Sequence, residues 1–408
     1  MTVQNTIPTW DRLLELAQER TPQRRVRRPG QSPSTVPIPS SLDKLPPETP
    51  PPVLLYRDTN SWCPFCERVW FALEEKEIPF ATEFIDLHNK PQWYTALVPS
   101  AQVPAAKIED ELVYESKTIL LALEGRFSDF PLLPTDPQEK AIAKHLVEEA
   151  ETNGYREVGY KFLLRRASTN DDEIATFLQA SFTGKLDELE QALAKYPGDY
   201  FLSTFSLVDI MYDPHLDRLA ASLPVYRDYH IKGNPRFPHL NAWFAALNER
   251  PAYGRVKTDA TTFNLLLPQL FGLEPMANPL LLEPGLSEII QYRAEAAERL
   301  SDNYEAAIGD ILKNSGVQTL TGSSGTSAVT DAIEFHLKLL ADYLLHGEQT
   351  LLVWGGAEGQ NSLDPLSATV GAIALGYVRN RICAPRDMSA GAAIAFRASA
   401  DKVLASLY

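Results

Sequence analysis

The stretch Ser61-Trp62-Cys63-Pro64-Phe65-Cys66 stands between an apolar run, Val53-Leu54-Leu55-Tyr56, and a segment from Pro64 to Lys76 in which Phe65, Val69, Ala72 and Leu73 fall at helical spacing. Run and periodicity predict a strand that passes through a short loop into a helix, with Cys63 at the junction. Proline suits the first helical turn, where no amide hydrogen is needed. A thiol placed there faces the positive end of the helix dipole and unpaired backbone amides, both of which favour thiolate over thiol. Cys63 and Cys66 also have the spacing of half a zinc site. No second cysteine pair exists and His88 sits at no recognisable ligand spacing, so nucleophilic or redox chemistry is the better reading and no metal is expected. Cys66 alone stays open to a structural role as a small buried hydrophobe.

Outward from this stretch, Phe80 to Ile85 reads as a strand, Ala105 to Tyr114 as a hairpin and the segment from Ser116 as a helix. Strand, helix, strand, hairpin and helix is the order of a small mixed sheet flanked by helices, a thioredoxin-like α/β domain. From Pro137 to Phe263 nearly everything is helical in pattern, broken at Tyr196-Pro197-Gly198 and at Asn234-Pro235-Arg236-Phe237-Pro238. Beyond Phe271 further helices are predicted over Leu286 to Leu312, Ser327 to Leu345, Ser367 to Ile382 and Ser389 to Leu407, with glycine-rich breaks at 322–325 and 354–359. Ahead of all this, Met1 to Pro52 combines a short amphipathic piece, Trp10 to Leu16, with the basic run Arg24-Arg25-Val26-Arg27-Arg28 and a proline- and serine-dense stretch, and reads as mostly extended linker. The expected plan is a proline-rich extension over 1–52, a thioredoxin-like domain over 53–136, an all-α domain over 137–271 and an additional mostly α-helical extension over 272–408.

A chain of 408 residues is too long for one core, which agrees with that plan. The formal charge of −15 argues against nucleic acid as a partner, and a five-residue run with four arginines in an acidic chain reads as a solvated tail. No run of about 18 apolar residues and no secretory signal is present, so no membrane association is expected and a cytoplasmic location is. Three cysteines are too few for a disulfide scaffold and suit a reducing compartment.

From Val53 to about Phe127 the chain resembles the cysteine-containing glutathione transferases of the omega and lambda type. The resemblance rests on Cys63-Pro64-Phe65-Cys66, on Lys90 within Asn89-Lys90-Pro91-Gln92-Trp93, on Val103-Pro104 and on Glu115-Ser116, in that order. It implies glutathione as co-substrate, with Cys63 as nucleophile and Phe65 among the contacts. Val103 would pair its backbone with the cysteinyl amide of glutathione, as an added strand does, with Pro104 in the cis form. Ser116 and the amides after it would take the γ-glutamyl carboxylate at a helix N-terminus, Glu115 the ammonium, and Lys90 the glycyl carboxylate. Many omega and lambda members have alanine where this chain has Cys66. The second thiol permits a dithiol step in which Cys66 resolves a mixed disulfide on Cys63, or it is a bystander. The serine or tyrosine nucleophile of the conjugating classes is absent, which favours thiol transfer over conjugation. Ser206-Leu207-Val208-Asp209 matches the helix-starting box of the family's helical domain. Tyr155, Tyr160 and Trp243 are candidates for the wall of a substrate cleft, although aromatics at helical spacing are more often core.

The overall plan, with its leader and long C-terminal region, is similar to the iota class of photosynthetic organisms. In that last region His336 falls on an apolar stripe and reads as a core histidine, His346 before Gly347 as a helix cap, Gly322 to Ser327 as a linker, and Cys383 as packed. The implied activity is glutathione-dependent thiol transfer or reduction: deglutathionylation, disulfide reduction or dehydroascorbate reduction. Its partners would be glutathione and a small hydrophobic or disulfide-bearing acceptor, and a homodimer is compatible with the fold. The alternative is a glutathione-binding ligand carrier or stress-response module with little turnover.

Overall fold

The computed structural model describes residues 7–21, 45–46, 49–165, 171–279, 288–320, 326–354 and 365–407. The chain divides into two compact units, one within residues 38–281 and the other from residues 1–37 together with 282–408. Chain order begins with helix α1 (Trp10–Arg20), a member of the second of these. The basic run Arg24 to Arg28 and the breaks at 322–325 and 355–359 lie outside the described residues.

In the 38–281 unit, β1 (Val53–Asp58), α2 (Pro64–Glu75), β2 (Phe80–Ile85), α3 (Gln92–Leu97), β3 (Ala105–Ile108), β4 (Glu111–Tyr114) and α4 (Ser116–Arg126) build a four-stranded sheet of order β2-β1-β3-β4. Central β1 is covered on both faces, which is why its sequence is a continuous apolar run without alternation. It runs parallel to β2, with Asp58 opposite Ile85, and antiparallel to β3, with Tyr56 opposite Ala105. Ala105 in turn lies opposite Tyr114 of β4. This register gathers the C-terminal ends of β1, β2 and β4 and the start of β3 at one edge of the sheet. Every loop that carries a candidate glutathione residue leaves from that edge.

The helical part follows as α5 (Pro137–Thr152), α6 (Tyr155–Leu164), α7 (Asp171–Leu193), α8 (Leu207–Arg227), α9 (Pro238–Asn248), α10 (Pro251–Val256) and α11 (Ala260–Phe271). The box that starts α8 is formed in both directions: Ser206 Oγ accepts from the Val208 amide and Asp209 Oδ2 from the Ser206 amide at 2.8 Å. Besides Arg218 of α8, which pairs with Glu67, three arginines tie these helices to α2. Fully buried Arg68 donates to the Met211 carbonyl at 3.0 and 2.6 Å, Arg250 forks onto Glu75 at 2.7 and 2.6 Å, and Arg255 pairs with Glu74 at 2.6 Å. Such planar forks satisfy buried acceptors that lysine cannot reach with the same economy.

The second unit comprises α1 with α12 (Ile290–Asp302), α13 (Tyr304–Asn314), α14 (Thr326–His346), α15 (Glu348–Trp354), α16 (Pro365–Arg381) and α17 (Ala390–Ala405). The amphipathic piece that the sequence places in the leader is a packed helix here. Trp10, Leu13 and Ala17 bury against α12 and α14, and the Trp10 ring stacks on Tyr304 at 4.6 Å. The helix expected over 286–312 is split, because Asn303 turns its side chain back onto the Arg299 carbonyl at 2.9 Å and ends α12. His336 is a packing element: its ring fills the notch over Gly371, where a Cβ would come within 2.4 Å of it, and Nδ1 lies 2.7 Å from the Ala332 carbonyl. His346 meets Asp342 at 2.9 Å, while Gly347 at φ 66° ends α14. No described helix is long and apolar enough to cross a membrane.

Candidate active site

Cys63 is the N-cap of α2, in extended conformation at φ −66° and ψ 111°, with Pro64 beginning the helix and no side chain capping it. The thiol is half-buried, and Sγ lies 3.8 Å from the carbonyl oxygen of Val103. Val103 precedes a cis peptide to Pro104 and stands just ahead of β3, outside the ladder. The loop that delivers Cys63 is held from both sides. Asp58 Oδ2 accepts from the Trp62 amide at 2.7 Å, and Arg57, its guanidinium 4.0 Å from the Trp70 ring centre, donates to Ser61 Oγ at 3.2 Å. From α8, fully buried Arg218 donates to the carbonyls of Ser61, at 3.0 Å, and Trp62, and pairs with Glu67 at 2.7 Å. The two peptide units before the candidate nucleophile are therefore fixed by one guanidinium. Burial opposes the charge of Arg218, but Glu67, Tyr160 and Cys63 outweigh it and hold its pKa above the ordinary value. For Glu67 burial wins over Arg218, and its carboxyl is pushed up to about 7.

Cys66 is 2% exposed. Burial, then its hydrogen bond to Cys63 and the charges of Cys63 and Asp58, push its thiol well above the ordinary range. It lies beneath Cys63 as a neutral thiol.

The other candidates share the same sheet edge. Ser116 is buried as the first residue of α4, and Glu115 before it is exposed at φ 69° with no side-chain cap on the helix. No side chain caps the first-turn amides of this 11-residue helix. Lys90 is half-buried in the loop after β2. Phe65 turns away from the sheet: its ring meets His215 edge-on at 5.0 Å, with the guanidiniums of Arg68 and Arg156 each at 5.4 Å. Cys63 touches both Val103 and Cys66; Glu115 and Ser116 follow β4, and Lys90 lies in the loop after β2, at the same edge of the sheet.

Sequence reasoning missed the α8 side of this site. His215 is buried with neither ring nitrogen hydrogen-bonded among the described residues, and burial plus the charges of Arg68, Arg156 and Arg218 hold its pKa well down. On α6, Tyr160, which the sequence offers as a candidate for the wall of a substrate cleft, has its hydroxyl buried without a partner among the described residues and pushed up to about 12, mainly by burial. Asp213 and Asp217 complete a buried acidic row with Asp209. Carboxylates at 209, 213 and 217 recur on one helical face, a spacing that would repel on an open surface, and that repetition was the available signal. Tyr155 and Trp243 are fully buried, and Trp243 donates to Asp209 at 2.9 Å, which makes it core.

A thioredoxin-like sheet domain with a cysteine at its first helix start, joined to an all-α domain entered by a capped helix, defines a two-domain class. Residues 62–126 match the glutathione S-transferase N-terminal domain model, and residues 162–246 match its C-terminal domain model. Protein IN2-1 homolog A of Oryza sativa subsp. japonica is 31% identical over 202 residues, covering 48% of this chain and 78% of its own length. Glutathione S-transferase L1 of Arabidopsis thaliana is 29% identical over 219 residues, 52% of this chain and 86% of its own. The solved structure of glutathione transferase Omega 3C from Trametes versicolor is 25% identical, with a TM-score of 0.46 over 55% of this chain and 91% of its own. The chain belongs to the glutathione S-transferase family, whose co-substrate is glutathione.

Proposed function

We propose that the protein is a glutathione-dependent thiol transferase or reductase in which Cys63 is the sole working thiol. The observation that carries this is the contrast between a partly exposed sulfur at a helix N-terminus and a buried, proton-retaining sulfur at Cys66 one turn on. Cys63 thiolate attacks the glutathionyl sulfur of a mixed disulfide, forming a Cys63–glutathione disulfide and releasing the acceptor as its thiolate. The thiolate of a second glutathione then attacks the glutathione sulfur of that intermediate, yielding glutathione disulfide and regenerating Cys63. The incoming tripeptide is held by the Val103 backbone, Lys90, Glu115 and Ser116, while exposed Phe65, backed by the buried His215 ring, presents an aromatic face to the acceptor. Arg218 keeps the loop before Cys63 in place as the sulfur is attacked.

The test is glutathione-dependent turnover of a glutathionylated peptide, and separately of dehydroascorbate, by wild type, Cys63→Ser and Cys66→Ala. Cys63→Ser should lose at least about a thousandfold, because a hydroxyl at neutral pH is a far weaker nucleophile than a thiol. Cys66→Ala should keep turnover within about threefold. Equal activity in wild type and Cys63→Ser overturns the mechanism; loss in Cys66→Ala alone would make it a dithiol enzyme.

A further inference from the structure

We infer that the second unit carries a binding site of its own for a small organic anion with an apolar body, in a cavity between α12, α13, α16, the loop 382–388 and α17 that is read by Arg299. The cavity measures about 310 Å³. At the roughly 30 Å³ that a water occupies in the liquid, it holds about ten heavy atoms. Its walls are mainly apolar, from Leu300, Ala307, Val378, Ile382, Met388 and Phe396. A cluster of waters finds few partners on such walls, whereas an aliphatic or aromatic body does.

The polar groups decide the sign of the ligand. Two carboxylates and three guanidiniums reach the cavity. Asp387 accepts from Arg386 Nε and Nη2, each at 2.8 Å, and from the Cys383 amide, also at 2.8 Å. Asp310 accepts from Tyr377 Oη at 2.9 Å and Asn314 Nδ2 at 2.7 Å, with Arg381 Nε at 3.5 Å. Both acids are thus occupied by donors from the wall. Arg299 is in the opposite state: its Nη2 is buried with no hydrogen-bond partner among the described residues. Arg299 is half-buried on the cavity wall, and a turn of its side chain towards an entering anion gives Nη2 the acceptor it lacks. A carboxylate or sulfonate of roughly ten heavy atoms satisfies both wall and guanidinium. A cation finds no open carboxylate, and a neutral alcohol leaves the charge unmatched. The site is independent of glutathione chemistry, since every residue of the cavity lies beyond residue 298.

Calorimetric titration of the full chain with decanoate tests this, with S-hexylglutathione held at saturation so that the glutathione site is filled. Decanol and decyltrimethylammonium serve as neutral and cationic counterparts. Decanoate should bind one saturable site, decanol at least tenfold more weakly, and the cation not at all. Arg299→Met should weaken decanoate at least tenfold and bring it level with decanol. Ala307→Phe, which fills the cavity, should remove both. Should that variant fail to fold by circular dichroism, the decanoate to decanol ratio in Arg299→Met decides alone. The absence of a saturable decanoate site, its elimination by S-hexylglutathione, or unchanged affinity in Arg299→Met overturns the inference.

Discussion

Cys63 and Cys66 stand three residues apart on one helix and meet different surroundings, because a helix turns about 100° per residue while its N-terminal amides stay unpaired only in the first turn. The same locality explains why Cys63, Val103-Pro104 and Glu115-Ser116 could be picked out from sequence: each is a backbone device whose parts are adjacent in the chain. Arg218 is the counterexample. Its partners at Ser61 and Trp62 lie 157 and 156 residues away, and no periodicity announces them. Arg218→Met should cut turnover by roughly ten- to a hundredfold with little change in glutathione KM, since the loop and not the tripeptide site loses its anchor. It should also cost about 3–5 kcal/mol of stability by stranding Glu67 among Asp217 and Asp58, read from urea unfolding. Glu67 gives a second prediction at this scale. Its folded pKa, raised by burial from 4.5 to about 7, means that the folded state keeps a proton the unfolded chain has released. The contribution is fully present below pH 4.5 and lost as pH rises through 7. Glu67→Gln should therefore flatten the fall in the urea midpoint across that window, and an unchanged slope would show that Glu67 titrates normally.

At the level of elements, α8 carries the heaviest load, and its start shows how local and non-local bonds combine. Asp209 accepts from the Ser206 amide within the box, but also from Trp243 Nε1 at 2.9 Å and the Phe201 amide at 3.1 Å. Losing the cap costs about 1 kcal/mol, and leaving two buried donors unpaired adds about 1–3 kcal/mol each. Asp209→Ala should consequently destabilise the 38–281 unit by about 3 kcal/mol or more, and Asp209→Asn by clearly less, in unfolding followed by Trp243 fluorescence. A loss of only about 1 kcal/mol in Asp209→Ala would mean that the box alone matters. The box was legible because it is four residues long; its two long-range bonds were not. Long periodic helices and the central strand were legible for a similar reason. The six-residue α3 offers too few turns for a period to show, and the division at Asn303 depends on one side chain preferring its own backbone.

Across the whole molecule, the feature least visible in sequence is the company kept by α1. A short amphipathic helix shows that it has an apolar face but not which core will take it, and here more than 250 residues separate it from its partners α12 and α14. Its packing is not incidental. Leu13 is fully buried, which contributes about 2 kcal/mol, and Trp10 adds stacking on Tyr304 together with a hydrogen bond to Glu334 at 3.1 Å. Trp10→Ala should thus cost about 3–5 kcal/mol within the second unit, where the vacated volume is bounded by helices that relax only in part. Hydrogen exchange followed residue by residue gives the sharpest view, because it reports opening of each core separately. Amides of α12 and α14 should exchange at least about a hundredfold faster in the variant, while those of β1, which belongs to the other core, keep their wild-type rates. Unchanged protection in α12 and α14 would show that α1 rests on a bundle already stable without it. Acceleration would establish the N-terminal helix as a component of that fold, so that any shortened form of the protein made to study residues 288–407 has to include residues 7–21.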